Sequence, residues 1–250
     1  MKLFLLSIFF PLAVTLTVRA EASTPSERKL IKAIREDAPK PVKAHIDFNK
    51  DPNTVIDGDT LLHHAALYGS NKVVESLLKS GADPMRMNAS MEYPIEVAIR
   101  HDAKEIIKLL SRPEDKRKPE DVTTDLLYRL VAGSYPTSDE GDKKTPPVFV
   151  RLNGNDPSGA QMDRLRSLGK QFALFSEIPL NPDEQPKKAR AGKLAEIETL
   201  YISIKPSANG FGFDWSLSIS PGPLTGRGSE GNCLQQHGYW IVETTKRWVS

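Results

Sequence analysis

The sequence predicts two structural classes in one chain: an α stack of helical hairpins, then an α+β domain with a curved antiparallel sheet and one or two helices laid across it. Three observations predict this. Between Leu30 and Leu110 the apolar positions return in register about every 33 residues while keeping helical spacing in between. From Leu200 onward apolar and polar residues alternate. Two polar, charged, Pro-bearing stretches, "SRPEDKRKPED" (111–121) and "SYPTSDEGDKKTPP" (134–147), can bury no apolar face and read as linkers. The expected divisions are a leader over 1–22, the helical stack over 23–112, a linker over 113–122 and the sheet domain over 123–250.

The chain opens with "MKLFLLSIFFPLAVTLTVRAEAS", in which Lys2 precedes an apolar run from Leu3 to Val18 and small residues follow. That is the layout of a secretory signal peptide. The run falls short of the roughly 20 apolar residues of a membrane span, and Pro11, Thr15 and Thr17 weaken it further. Ala20-Glu21-Ala22 offers a cleavage site, Val18-Arg19-Ala20 a rival one, and retention as an uncleaved anchor is the alternative. The expectation is an exported protein, periplasmic or secreted, with no stable membrane span after cleavage. The single Cys233 cannot form an internal disulfide, so the cores alone must hold the fold together. With 34 basic and 32 acidic residues the net charge is +2, which gives no electrostatic footprint for nucleic acid.

In the first half, Thr60-Leu61-Leu62 falls on Tyr93-Pro94-Ile95, Ala65 on Ala98, Val73-Val74 on Ile106-Ile107 and Leu77 on Leu110. An upstream copy places Leu30 on Leu62, Ala33 on Ala65, Val42 on Val74 and Asp51-Pro52 on Asp83-Pro84. Its first helix is "SERKLIKAIRE", with Ser26 as the candidate cap. The unit reading "GDTLLHHAALYG" then "VVESLLKSGADP" resembles an ankyrin repeat, and its period is the one that family uses. The next unit keeps Pro94 and Ala98 but has Tyr93, Glu96 and Asp102 where the motif has threonine, histidine and glycine. Three units are expected, about the minimum that buries a continuous core.

The resemblance implies that His63 ties the helix start to the hairpin through Thr60. His64 follows one residue on, about 100° round the helix, so the two rings cannot aim at one ion. No metal or other cofactor is expected. The resemblance also implies a concave surface, formed by hairpin tips and the exposed sides of the first helices, that binds proteins. By register its candidate positions are Ile56, Asp57, Asp59, Leu67 and Tyr68, then Ala89, Ser90, Glu92, Arg100 and His101. Tyr68 beside Leu67 stands out, since aromatic residues are enriched as binding anchors. The alternative is that Tyr68 packs on a neighbouring unit.

The helix "DVTTDLLYRLVAG" opens the second half, "PVFVRL" (147–152) is a strand, and "NGNDPSGAQMDRLRSLG" a turn and helix with Asp156 as N-cap and Pro157 at its first position. Leu200, Ile202 and Ile204 mark one half-buried strand, and Phe211 to Ile219 another. "PGPLTGRGSEG" joins this to a strand around Asn232 to Gln235, and "QHG" turns back into "YWIVETTKRW". The product is an α+β layer of the cystatin or NTF2-like kind. Asn153, Gly154, Asp156, Pro157, Ser158, then Gly222-Pro223-Leu224, Trp240 and Trp248-Val249-Ser250 resemble a domain of exported bacterial proteins with no assigned activity.

Catalytic motifs are weak. There is no H-E-x-x-H, C-x-x-C or G-x-S-x-G, and Gly210-Phe211-Gly212 lacks the setting of a dinucleotide site. Cys233 with His237 reads better as a core cysteine than as a thiolate pair. Arg227 in the glycine-rich "GPLTGRGSEG" is a candidate anion ligand, against the alternative of glycines at hairpin corners. The expected function is a non-enzymatic protein-binding module whose partner is another exported or periplasmic protein, a toxin or an envelope enzyme. The alternatives are a small-ligand site on the sheet, gathering Tyr201, Asp214 or Arg227, and an unrecognised hydrolase.

Overall fold

The computed structural model describes residues 24–49, 51–134, 148–177, 199–208, 210–222 and 225–249. The expected leader, its cleavage site, residues 135–147 of the second expected linker, residues 178–198 and Pro223-Leu224 lie outside the described residues.

Six helices pair into three hairpins: α1 (Pro25–Arg35) with α2 (Pro39–Asn49), α3 (Leu61–Tyr68) with α4 (Asn71–Lys79), and α5 (Pro94–Arg100) with α6 (Lys104–Leu110). The first helix of each hairpin stacks on the next to form an inner row, and the second helices form an outer row. The rows approach closely because Ala65, Ala66 and Ala98 present only a methyl group and are fully buried, between Leu61, Leu62, Val73, Leu77 and Ile106. Gly69 ends α3 in the left-handed conformation at φ 69°, which costs a residue with a Cβ more. The cap of α1 is Thr24, not Ser26. Thr24 Oγ1 accepts from the Glu27 N–H at 3.2 Å, and the Glu27 carboxylate accepts from the Thr24 N–H in return. Pro25 can follow a cap at the first helical position, which sets the start two residues early.

Helix α7 (Pro119–Ser134) begins inside the expected linker, with Pro119 opening it, and its Leu126, Leu127 and Val131 pack on the sheet. The sheet has the order β4-β3-β5-β6-β7-β8, built from β3 (Val148–Leu152), β4 (Phe172–Leu174), β5 (Thr199–Pro206), β6 (Phe213–Gly222), β7 (Thr225–Gln236) and β8 (Tyr239–Val249). It is open and mixed rather than antiparallel throughout, because β3 runs parallel to both β4 and β5. The cause is α8 (Gly159–Arg166), which lies in the crossover between β3 and β4. A strand followed by a helix returns parallel.

Two further expectations are corrected. Helix α8 is capped by Ser158 with Gln161 at N3, while the Asp156 carboxylate accepts from the Ser176 N–H at 3.2 Å; hydrogen bonding from Ser176, its side chain first and its backbone N–H after it, holds that carboxyl below the usual range. Strand β7 starts at Thr225, so Gly228 and Gly231 sit within it and not at a corner. A Cβ on Gly228 would meet Trp248 at 2.3 Å, and one on Gly231 would meet the Glu243 carbonyl oxygen at 1.8 Å. Close approach of the neighbouring strand and its tryptophans explains both glycines.

Candidate binding face

The face that the resemblance implies for binding lies along the inner helices and the turns that precede them. Strands β1 (Val55–Ile56) and β2 (Asp59–Thr60) form the second unit's short hairpin, and the third unit's turn carries Asn88. His63 fastens the two turns together: its Nδ1 lies 2.7 Å from Thr60 Oγ1, and its Nε2 lies 2.9 Å from the Glu92 carbonyl oxygen. A carbonyl only accepts, so Nε2 carries the hydrogen and Nδ1 accepts from the threonine hydroxyl. His64 points elsewhere, its Nε2 at 3.1 Å from the Ile56 carbonyl on the other strand of the same hairpin, so the two rings hold different partners. Among the described residues no three His, Cys, Asp or Glu side chains gather to hold a metal.

Burial of His63 pushes its pKa below the ordinary 6.5. The unfolded chain therefore binds the proton more readily than the folded one. The stability this contributes is complete above about pH 6.5 and is lost as pH falls through the lowered folded value. Urea unfolding of wild type should show lower stability at pH 5 than at pH 7.5, and His63→Gln should shrink that difference. An equal pH difference in both proteins would refute the assignment.

Of the expected contact positions, Asp57, Leu67, Ala89, Ser90, Arg100 and His101 are exposed. Ile56 is not on the face: at 2 % exposed it lies in the core beneath the hairpin, and only its carbonyl is used. A two-residue strand turns alternate side chains inward, and Val55, at 45 %, is the one that points out. Asp59 accepts from the Asn88 amide at 2.7 Å, and Glu92 forms an ion pair with Arg100. Tyr68 is half-buried against the first unit, with Arg35 stacked 4.9 Å over its ring and donating to its hydroxyl at 3.2 Å. Sequence reading missed Asn88, which also accepts from the N–H groups of Ser90 and Glu92 and so shapes the turn. An Asn in a turn-forming stretch is the signal that marks it.

The sheet domain does not gather the residues expected of a ligand site. Tyr201 faces outward across from Ser218, in a hollow of about 400 Å³ with Arg151, whereas Arg227 pairs with Ile219 on the inner face. Asp214 is outside that hollow. Cys233 is 1 % exposed and burial pushes its thiol up to about 12, so it stays protonated at neutral pH. His237 lies in the exposed turn after β7.

The second half also locks onto the third helical unit. The Glu96 carboxylate, occupying the position of the motif's histidine, accepts from Arg129 of α7 at 2.7 and 2.9 Å, from its own cap N–H at Tyr93 and from the Val242 N–H of β8 at 3.1 Å. Arg129 also donates to the carbonyls of Met91 and Trp240. Tyr239 crosses the boundary: its ring stacks on Tyr93 at 5.4 Å, and its hydroxyl donates to the Leu110 carbonyl at 3.0 Å. Beyond this junction a cleft of about 700 Å³ opens between the third unit's turn and the inner face of the sheet. Ala89, Ser90, Glu92 and Arg100 form one of its walls.

Residues 30–120 match the family model of ankyrin repeats, in three copies. No curated protein matches the chain. The helical region is thus ankyrin-like and is followed by the mixed sheet.

Proposed function

We propose that the chain is an exported, non-enzymatic protein-binding module that grips its partner with the ankyrin concave face. The supporting observation is the match to three ankyrin repeats together with an inner row whose turns are pinned by His63, Thr60 and Asn88, since a rigid face loses less entropy on binding. Export rests on the leader-like opening of the sequence, and no described helix is long and apolar enough to cross a membrane. A concrete form of this role is an immunity factor that occludes a toxin delivered into a bacterial periplasm. A scaffold for a resident envelope enzyme is the other form. Both need a rigid face and neither needs a cofactor.

The test is capture from periplasmic extract with wild type and with Tyr68→Ala plus Arg100→Ala. The double variant should lose the captured partner, and retention of the same partner would tell against this face. For the immunity form, deleting the protein should sensitise cells to a neighbouring strain's toxin, and restoration should protect only with residues 1–22 present. Protection by a leaderless form would reject it.

A further inference from the structure

The inner face of the sheet continues past the end of α7 into the cleft, and its charges there are unbalanced. Four arginines line the cleft, Arg100, Arg129, Arg227 and Arg247, against two glutamates. The glutamates are already committed, Glu92 to Arg100 and Glu96 to Arg129. Arg227 and Arg247 have no carboxylate within ion-pair distance among the described residues, and both are exposed. They share one face: Arg227 is opposite Val249 and Arg247 opposite Ser229, so they are diagonal neighbours with backbones about 7–8 Å apart. Like charges so placed repel each other unless something negative sits between them.

The strand that carries Arg247 is also an edge of the sheet. Along its first residues the outward backbone groups are already occupied, the Val242 N–H by Glu96 and the Trp240 carbonyl by Arg129. These two side chains stand where a neighbouring strand would be. Past Val242 no described group takes that place, and it is there that Thr244, Arg247, Trp248 and Val249 border the cleft. A cleft of this volume is of ligand size.

We propose that the cleft seats an acidic, extended segment of the protein partner, which runs along the free end of β8 and places carboxylates on Arg227 and Arg247. Charge complementarity selects this occupant: two guanidinium groups with no ion-pair partner among the described residues suit carboxylates through paired N–H donors, and a strand edge left open by the described residues suits an extended backbone. The seat is continuous with the concave row through Ala89, Ser90 and Arg100. This rests on the protein-binding reading above and adds to it the chemistry of the partner.

The test uses the full chain and a fluorescein-labelled short peptide of alternating glutamate and valine, titrated by anisotropy at low salt, with the glutamine-valine peptide beside it. Wild type should bind the acidic peptide and not the neutral one, and added salt should weaken binding. Arg227→Gln plus Arg247→Gln should raise Kd by about tenfold or more, as expected for losing charge-assisted bonds. Lys205→Gln, on the outer face of the sheet, should leave Kd unchanged. Both arginines are exposed, so the double variant should melt no lower than wild type. Equal binding by wild type and double variant, or no binding by wild type, overturns the proposal. So does inorganic phosphate displacing the peptide as a tighter ligand, which would make this a free-anion site. Partner capture separates the two readings: dependence on Tyr68, outside the cleft, but not on Arg227 and Arg247 keeps the concave row and rejects the cleft, while dependence on neither rejects both.

Discussion

Arg129→Met is expected to lower the stability of the folded chain by about 3–5 kcal/mol, the range for removing one partner of a buried ion pair. The magnitude follows from what remains. Glu96 and Arg129 are each 6 % exposed, so the variant leaves a carboxylate without water or a counter-charge, and frees the Met91 and Trp240 carbonyls as well. The consequence extends beyond the loss itself, because this pair joins the ankyrin stack to the sheet. All three tryptophans, Trp215, Trp240 and Trp248, lie in β6 and β8, whereas the helices dominate circular dichroism at 222 nm. In wild type the two signals should change together on adding urea. In Arg129→Met they should separate, with two midpoints. A single shared midpoint within about 1 kcal/mol of wild type would show that the pair does not couple the two parts.

Trp215→Ala should cost a similar amount, about 3–5 kcal/mol. The indole is 4 % exposed, its Nε1–H donates to the Asn232 carbonyl at 3.1 Å, and its ring lies beneath Gly231. Truncation leaves a void and removes the indole hydrogen bond together. A methyl group at Gly231 would lie 2.8 Å from the indole ring, on the side of that void. It should not rescue the variant, because it would also lie 1.8 Å from the Glu243 carbonyl oxygen in the adjacent backbone. Combining Gly231→Ala with Trp215→Ala should therefore be worse than Trp215→Ala alone in urea unfolding. A gain in stability would refute this account of the glycine.

Much of the helical half is legible in the chain because each of its determinants is local. The Thr60–His63 bond spans one turn, Gly69 sits where its helix must stop, and buried alanines recur with the repeat. The alternation in β5 and β6 is legible for the same reason. What escapes is set by distant neighbours. Parallel pairing of β3 depends on how the chain returns after α8, and Gly228 and Gly231 resemble corner glycines until Trp248 and Glu243 are set against them. Glu96 reads as a degenerate repeat position, and Arg129 as the polar side of a helix, until each is seen to be the other's partner. Of the candidate face, Asp57, Leu67 and Arg100 are exposed as register implies, but Ile56 is inward because a two-residue hairpin fixes its own pleat. Arg227 and Arg247 lie 20 positions apart and share a face only through the pairing of β7 with β8.

The junction also sets an order of events in time. Glu96 and its partner at Val242 are 146 residues apart, and Tyr239 reaches back 129 residues to Leu110. The three helical hairpins are made of short-range contacts and form fast, whereas their last surface is completed only by the final strand. A ribosome adding about 5–20 residues per second needs roughly 7–30 s to pass from the one residue to the other. Through that interval the side of Tyr93 and Glu96 that Tyr239 and Val242 later cover faces water on a stack that is otherwise finished, and the acidic side chain keeps this waiting surface from being an apolar one. Replacing Glu96 with leucine would turn the interval into an exposed hydrophobic face, so the chain's yield of soluble protein would depend on the speed of its own synthesis.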